Sequence, residues 1–267
     1  MCRWIAYSGE PIFLEDFVTV PKQSLVVQSQ ASREAKSIVN GDGFGLGWYG
    51  ERPEPGIFRD LRPAWSDENL ISLAHQIRSR LFFAHVRAST GTATTRPNCH
   101  PFALGHWMFM HNGGIGNWEA VRRPIEAGIP DDLFRHRNGT TDSEAMFLLL
   151  IAFGLESDAV GAFRRMLGFV EGIMAQVGID EPLRFTAAAT DGRTIHAVRY
   201  STKIVPETLY ARRISRAHGH LIASEPLDDG RTDWELVPPQ SLVTLEPGGI
   251  QFETFVPAKD VSSPVSA

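Results

Sequence analysis

The stretch Leu81-Phe-Phe-Ala-His85-Val-Arg87-Ala-Ser89-Thr90 decides the class of fold. Its first residues are apolar at successive positions rather than alternate ones, the mark of a strand covered on both faces. Period-two geometry then divides the rest: His85, Arg87 and Ser89 share one face, and Phe82, Ala84 and Val86 the other. A sheet with two apolar faces needs a packed layer on each side. Residues 107–110, Trp-Met-Phe-Met, read as a second strand of this kind.

Outward from this pair, residues 2–7 read as an initial strand and residues 24–35 as a short helix. The glycine-rich run Asn40-Gly-Asp-Gly43-Phe-Gly-Leu-Gly-Trp-Tyr-Gly50 reads as a turn leading into a strand. Leu70, Leu73, Ala74 and Ile77, behind Ser66 or Asp67 as N-cap, mark an amphipathic helix. Further helices are expected from Trp118, after Thr141-Asp-Ser-Glu144 as a capping box, and over residues 159–174. Residues 185–189 and 195–200 flank Asp191-Gly192 as a hairpin, with more strands at 208–211, 221–223, 242–245 and 251–255. Strands at both ends with helices between predict an α+β protein whose two sheets pack together beneath outer helices.

The chain has 267 residues, 43% hydrophobic and 21% charged, with a net charge of −5, enough apolar material for a sizeable core. Acidic and basic residues are interspersed, so no basic stripe attracts nucleic acid. No apolar run approaches the ~18–20 residues of a membrane span, and the N-terminus lacks the layout of a signal peptide, so a cytoplasmic location is expected. No linker or repeat divides the sequence. One domain is expected over residues 1–256, with a polar tail over 257–267.

Two cysteines, Cys2 and Cys99, exclude a disulfide framework and a thiolate zinc site. Histidines in no helical His-x-x-x-His pair give no metal signal. Cys99 adjoins His100 in Asn98-Cys-His-Pro101, but adjacent side chains of an extended segment point apart, so Cys99 is expected to pack. Cys2 follows an initiator Met that its small side chain allows to be removed. A chain starting at Cys2 carries a thiol and an α-amine on one residue, nucleophile and base together. Arg87, at the end of an apolar strand, needs an anion: a substrate carboxylate or a structural salt-bridge partner. His111-Asn112-Gly113 is either an ordinary Asn-Gly turn or a site where an amide NH₂ and a backbone N–H meet one anionic point. Asp142 either serves the helix terminus or holds a substrate ammonium. The glycine run has neither a dinucleotide nor a Gly-Lys-Ser/Thr phosphate-loop spacing, and reads as backbone approaching a site or strand closely.

In this order the segments resemble the class II glutamine amidotransferases, a branch of the N-terminal nucleophile hydrolases. The resemblance rests on Met1-Cys2, the 40–48 glycine run, His85-Val-Arg87 with Thr90, Asn98-Cys-His-Pro101, His111-Asn-Gly113 and Thr141-Asp-Ser-Glu144, with residues 221–227 as a later strand. It implies a four-layer α/β/β/α sandwich with Cys2 as nucleophile, Asn112 and the Gly113 N–H as oxyanion hole, Arg87 on the glutamine α-carboxylate and Asp142 on its α-ammonium. His85, Thr90, His100 and Gly43 are expected to support the site. No cofactor is implied. Where the large synthases carry Arg-Trp-Ala-Thr-His-Gly, this sequence has Arg87-Ala-Ser-Thr-Gly-Thr92, so a loop that communicates with a synthase partner differs. The length resembles that of stand-alone members, some of which are γ-glutamyl hydrolases; the larger members imply a synthetase partner that takes up ammonia.

The expected activity is cleavage of the γ-amide of glutamine or a γ-glutamyl conjugate through a thioester on Cys2. The rival readings are an N-terminal cysteine acylase with a non-glutamyl acyl substrate, and a non-catalytic partner subunit that only binds glutamine. Arg87 and Asp142 argue against the acylase, because an apolar acyl chain offers a buried ion no partner.

Overall fold

A computed structural model of the chain describes residues 2–34, 39–89, 91, 93–230, 233–246 and 249–266. Two antiparallel sheets form the centre. The first contains β1 (Arg3–Phe13), β2 (Phe44–Trp48), β3 (Gly56–Asp60), β4 (Arg78–Val86), β9 (Tyr210–Ile214), β10 (Gly219–Ala223) and β11 (Glu235–Leu236), in the order β11-β9-β10-β1-β4-β2-β3. The second contains β5 (Phe102–Leu104), β6 (Trp107–Gly114), β7 (Arg184–Thr190), β8 (Ile195–Ser201), β12 (Ser241–Glu246) and β13 (Gly249–Thr254), in the order β13-β12-β8-β7-β6-β5.

Alternation along the central strands sorts the side chains into three apolar layers. Trp4 and Ala6 of β1 and Leu81 and Phe83 of β4 meet Met108 and Met110 of β6 between the sheets. The opposite face of the first sheet, with Ile5, Tyr7, Phe82, Ala84 and Val86, packs under the short helices α1 (Glu15–Val18), α2 (Leu25–Gln30) and α3 (Glu68–Gln76). The outer face of the second sheet, with Phe109, Phe185 and Ala187, packs under α4 (Trp118–Glu126), α6 (Asp142–Ala152) and α7 (Ala159–Val177), with α5 (Asp131–Phe134) beside them. The result is the expected α/β/β/α sandwich. Every residue of α6 from Ser143 to Leu150 is buried, as an all-round apolar helix requires. Beyond Phe255, the Ala258 N–H donates to the Arg164 carbonyl and Val261 packs against the core beneath α7.

Three local expectations are corrected. The glycine-rich run is not a turn before a strand: Phe44–Trp48 is itself β2, paired with β4 and β3. Phe44 and Leu46 face the helix-side core, while a Cβ on Gly45 would sit 2.1 Å from the His100 carbonyl oxygen and one on Gly47 2.4 Å from Met108 Sδ. His111-Asn-Gly is not a turn either. It continues β6, with Asn112 opposite Thr186 and Gly113 opposite Phe185. The capping box forms only in half: Thr141 Oγ1 accepts from the Glu144 N–H at 3.2 Å, but the Glu144 carboxylate turns to Arg137 at 2.7 Å and to the N–H groups of Asn138 and Gly139. Asp67 is the N-cap of α3, its Oδ1 accepting from the Leu70 N–H at 2.8 Å.

Candidate active site

The first residue before β1 and the end of β6 meet across the space between the sheets. Period-two geometry along β6 sends Phe109 and His111 toward α6, where His111 Nδ1 pairs with Ser143 Oγ at 2.8 Å. The same geometry sends Asn112 the other way, toward β1. There the Cys2 backbone N donates to Asn112 Oδ1 at 3.1 Å, and Cys2 Sγ lies 3.7 Å from the Ala88 carbonyl. Because the atom facing an N–H donor must be the amide oxygen, Asn112 Nδ2 is a donor, and it is buried with no partner among the described residues. Gly113 follows at φ +149, where a Cβ would come within 2.1 Å of the Arg184 carbonyl oxygen. Only glycine holds this backbone, and its N–H lies one residue from that amide donor.

A cleft of about 150 Å³ opens over Cys2, lined among others by Arg87, His100, Gly113, Trp118, Asp142 and Arg184. Arg87 stands just past β4, its N–H donating to the Gly43 carbonyl and its carbonyl accepting from the Asp42 N–H, which extends the ladder by one residue. Its guanidinium donates to Ser89 Oγ at 3.1 Å and to the carbonyls of Asp42 and Ala93 at 3.4 Å. Asp142 is the first residue of α6. Oδ2 accepts from the Ile115 N–H at 2.9 Å and Oδ1 from the Ser143 N–H at 2.8 Å. The helix-terminus role and the cleft-lining position thus belong to the same carboxylate.

Burial pushes the Cys2 thiol above its ordinary range, opposed in part by the Arg87 and Arg3 charges nearby. A thiol in this state needs a base. The buried imidazoles are poor candidates: burial drives His85 down to about 3 and lowers His100 and His111 as well. Both nitrogens of His111 are already engaged, by Ser143 and the Arg184 carbonyl. The His85 and His100 rings lie with centroids 4.3 Å apart, tilted by 34° to each other.

Of the residues singled out in the sequence, Cys2, Arg87, His100, Gly113 and Asp142 line one cleft, and Asn112 lies directly behind Cys2. His85 sits beneath His100, outside the lining. Gly43 acts through its carbonyl, at φ +108, where a Cβ would meet Asp60 O and Cys99 Sγ at 2.7 Å. Cys99 is fully buried and packs as expected. Thr90 lies outside the described residues. Sequence reading missed Arg184 and Trp118. Arg184 enters only because β7 places it opposite Gly114, and no local motif marks it. Among the described residues no cluster of His, Cys, Asp and Glu is placed to hold a metal ion, and no helix is long and apolar enough to cross a membrane.

The family described as glutamine amidotransferases class-II matches over residues 18–205. A probable glutamine amidotransferase of Saccharomyces cerevisiae is 32% identical, over 92% of this chain and 82% of its own length. The gamma-glutamyl-hercynylcysteine sulfoxide hydrolase of Mycolicibacterium smegmatis is also 32% identical, over 92% of this chain and 96% of its own. Among solved structures, a glutamine aminotransferase class-II domain protein from Silicibacter pomeroyi superposes with a TM-score of 0.78 at 39% identity, covering 96% of this chain and 100% of that one.

Proposed function

The chain belongs to the class II glutamine amidotransferases, and on that premise we propose that it is an amidohydrolase that cleaves γ-glutamyl amides through Cys2. The observation that carries the residue roles is the contact between the Cys2 nitrogen and Asn112 Oδ1, which brings nucleophile, amine and a spare amide donor to one point.

Once Met1 is removed, the Cys2 nitrogen becomes a free amine with a reference pKa near 8, close enough to that of a thiol to take its proton. Sγ then attacks the γ-carbonyl carbon. The C–S bond forms as the carbonyl oxygen takes the electron pair, and Asn112 Nδ2 and the Gly113 N–H stabilise that oxyanion. The ammonium on Cys2 returns its proton to the leaving nitrogen as the C–N bond breaks, leaving a thioester. Water, deprotonated by the same amine, attacks the thioester and releases glutamate and the thiol. Arg87 holds the α-carboxylate and Asp142 the α-ammonium. The glutamyl group sits in the cleft over Cys2, and the amine half of a conjugate extends through its mouth.

The test is glutamate release from glutamine and from γ-glutamyl anilide by the purified protein, with intact mass recording loss of Met1. Turnover of either substrate by a processed chain, lost in a version that retains a residue before Cys2, supports the reading. Turnover of neither substrate overturns it, and full activity with Met1 retained removes the amine from the mechanism.

A further inference from the structure

The residue after the proposed nucleophile is an arginine, and it is buried. By alternation Arg3 lies on the helix-facing side of β1, in line with Ile5 and Tyr7, where a charge is costly unless paired. Its Nε donates to Ser32 Oγ at 2.8 Å and lies 3.4 Å from Glu225 Oε2. Nη1 turns back to the carbonyl oxygen of Cys2 at 3.0 Å. Glu225 in turn accepts from Ser32 Oγ at 3.1 Å and from the backbone N–H groups of Arg33 and Glu34. Cys2 precedes β1 and has no partner in the sheet register, which begins at Arg3 opposite Val86. Its peptide is therefore held on one side by Asn112 and on the other by the side chain of its own neighbour.

We infer that Arg3 is a positioning residue for the nucleophile: its guanidinium, seated on Ser32 and Glu225, fixes the Cys2 carbonyl and so the direction in which the amine and thiol of Cys2 face the cleft. This rests on the reading of Cys2 as nucleophile. A planar fork is required, because Nε must reach Ser32 and Glu225 while Nη1 reaches the Cys2 carbonyl. A lysine ammonium is a single point and can keep only one of these contacts. The charge also acts at short range on the thiol, favouring the thiolate that burial disfavours.

The experiment compares wild type with Arg3→Lys, Arg3→Gln and Ser32→Ala, reading kcat and KM on γ-glutamyl anilide, the pH profile of Cys2 alkylation by iodoacetamide, and thermal unfolding. Arg3→Lys should lose on the order of 10- to 100-fold in kcat, the scale of a nucleophile misplaced by about an ångström, with KM within about twofold. In Arg3→Gln, half-maximal alkylation should move to higher pH, whereas Arg3→Lys, which keeps the charge, should stay near wild type. A folded Arg3→Lys with wild-type kcat overturns the inference. If that variant does not fold, Ser32→Ala decides, a lowered kcat at unchanged KM supporting it and a wild-type kcat overturning it. If wild type turns over no γ-glutamyl substrate, the functional reading has failed instead, and the alkylation profiles still decide whether Arg3 governs the state of Cys2.

Discussion

The backbone nitrogen of Cys2 lies 3.1 Å from Asn112 Oδ1, and this one contact orients both partners. It holds the Cys2 nitrogen toward β6 and leaves Asn112 Nδ2 as a buried donor with no acceptor among the described residues. An unsatisfied buried amide costs roughly 1–3 kcal/mol, a strain that a transition-state oxyanion would relieve.

Asn112→Ala should therefore lower kcat by on the order of 10²–10³ with little change in KM, since the oxyanion exists only along the reaction path. Asn112→Asp should be at least as damaging, because it keeps an acceptor for the Cys2 amine but replaces the donor with a second carboxylate oxygen. Steady-state kinetics on γ-glutamyl anilide checks both, and a wild-type kcat in Asn112→Ala would return Asn112 to a structural role.

Gly113→Ala should be damaging for a different reason. At φ +149 an L-residue is strained, at about 1–3 kcal/mol, and the added Cβ would lie 2.1 Å from a backbone oxygen that cannot easily yield. The expected outcome is a lower melting temperature together with lost turnover, whereas Gly114→Ala, whose Cβ would meet Asp142 Oδ2 at 3.4 Å, should fold with a near-normal melting temperature. Equal melting temperatures for the two variants would contradict this account.

The buried histidines predict an acid limb in stability. His85 is driven to about 3, and His100 and His111 are lowered, by burial. In the unfolded chain each takes a proton near 6.5. Their stabilising contribution is complete above that pH and is lost as pH falls below it, for His85 over the range from about 6.5 toward 3, because the unfolded state then binds more protons, by up to about 1.4 kcal/mol per pH unit for a histidine. Urea midpoints at pH 7 and pH 5 measure this, and His85→Gln should flatten the slope. Midpoints that do not fall between pH 7 and pH 5 would contradict it.

What was legible in the sequence follows from which forces are local. The alternation of residues 81–89 correctly separated the helix-facing side chains from those facing the second sheet, because period two is a property of the strand itself. β2 was invisible because Gly45 and Gly47 carry no side chains whose period could be read. Their reason lies in His100 and Met108, on other segments. The Asn112-Gly113 pair signals a turn locally, and ladder pairing to Thr186 and Phe185 overrides that signal. Glu144 looked like half of a capping box, but the nearby Arg137 guanidinium offered it a stronger, charge-assisted partner. Arg184 reaches the cleft through register alone, which one sequence does not encode in any local pattern.

Arg87 and Asp142 predict how the site selects its acyl group. A hydrogen bond to a charged group contributes about 1.5–3 kcal/mol, so Arg87→Ala, or removal of the α-carboxylate from the substrate, should each lower kcat/KM by roughly 10- to 150-fold. Arg87→Lys should also be poor, since a point charge does not reproduce the fork that carboxylate recognition uses. Applied together, enzyme and substrate changes should not add, because without the guanidinium the carboxylate has nothing left to lose. The same logic pairs Asp142→Asn with an N-acetylated substrate. Asp142→Asn keeps an acceptor at Oδ1 for the Ser143 N–H but turns an NH₂ toward the Ile115 N–H and places no charge opposite the ammonium, so a lower melting temperature should accompany the lost kcat/KM, and the loss of coupling to the N-acetylated substrate isolates the charge. The measurement is kcat/KM for glutamine and its des-carboxy analogue on wild type and Arg87→Ala. Strictly additive losses would make Arg87 a structural residue that, among other contacts, ties Asp42, Ser89 and Ala93 together, and would favour an acyl substrate without the α-carboxylate.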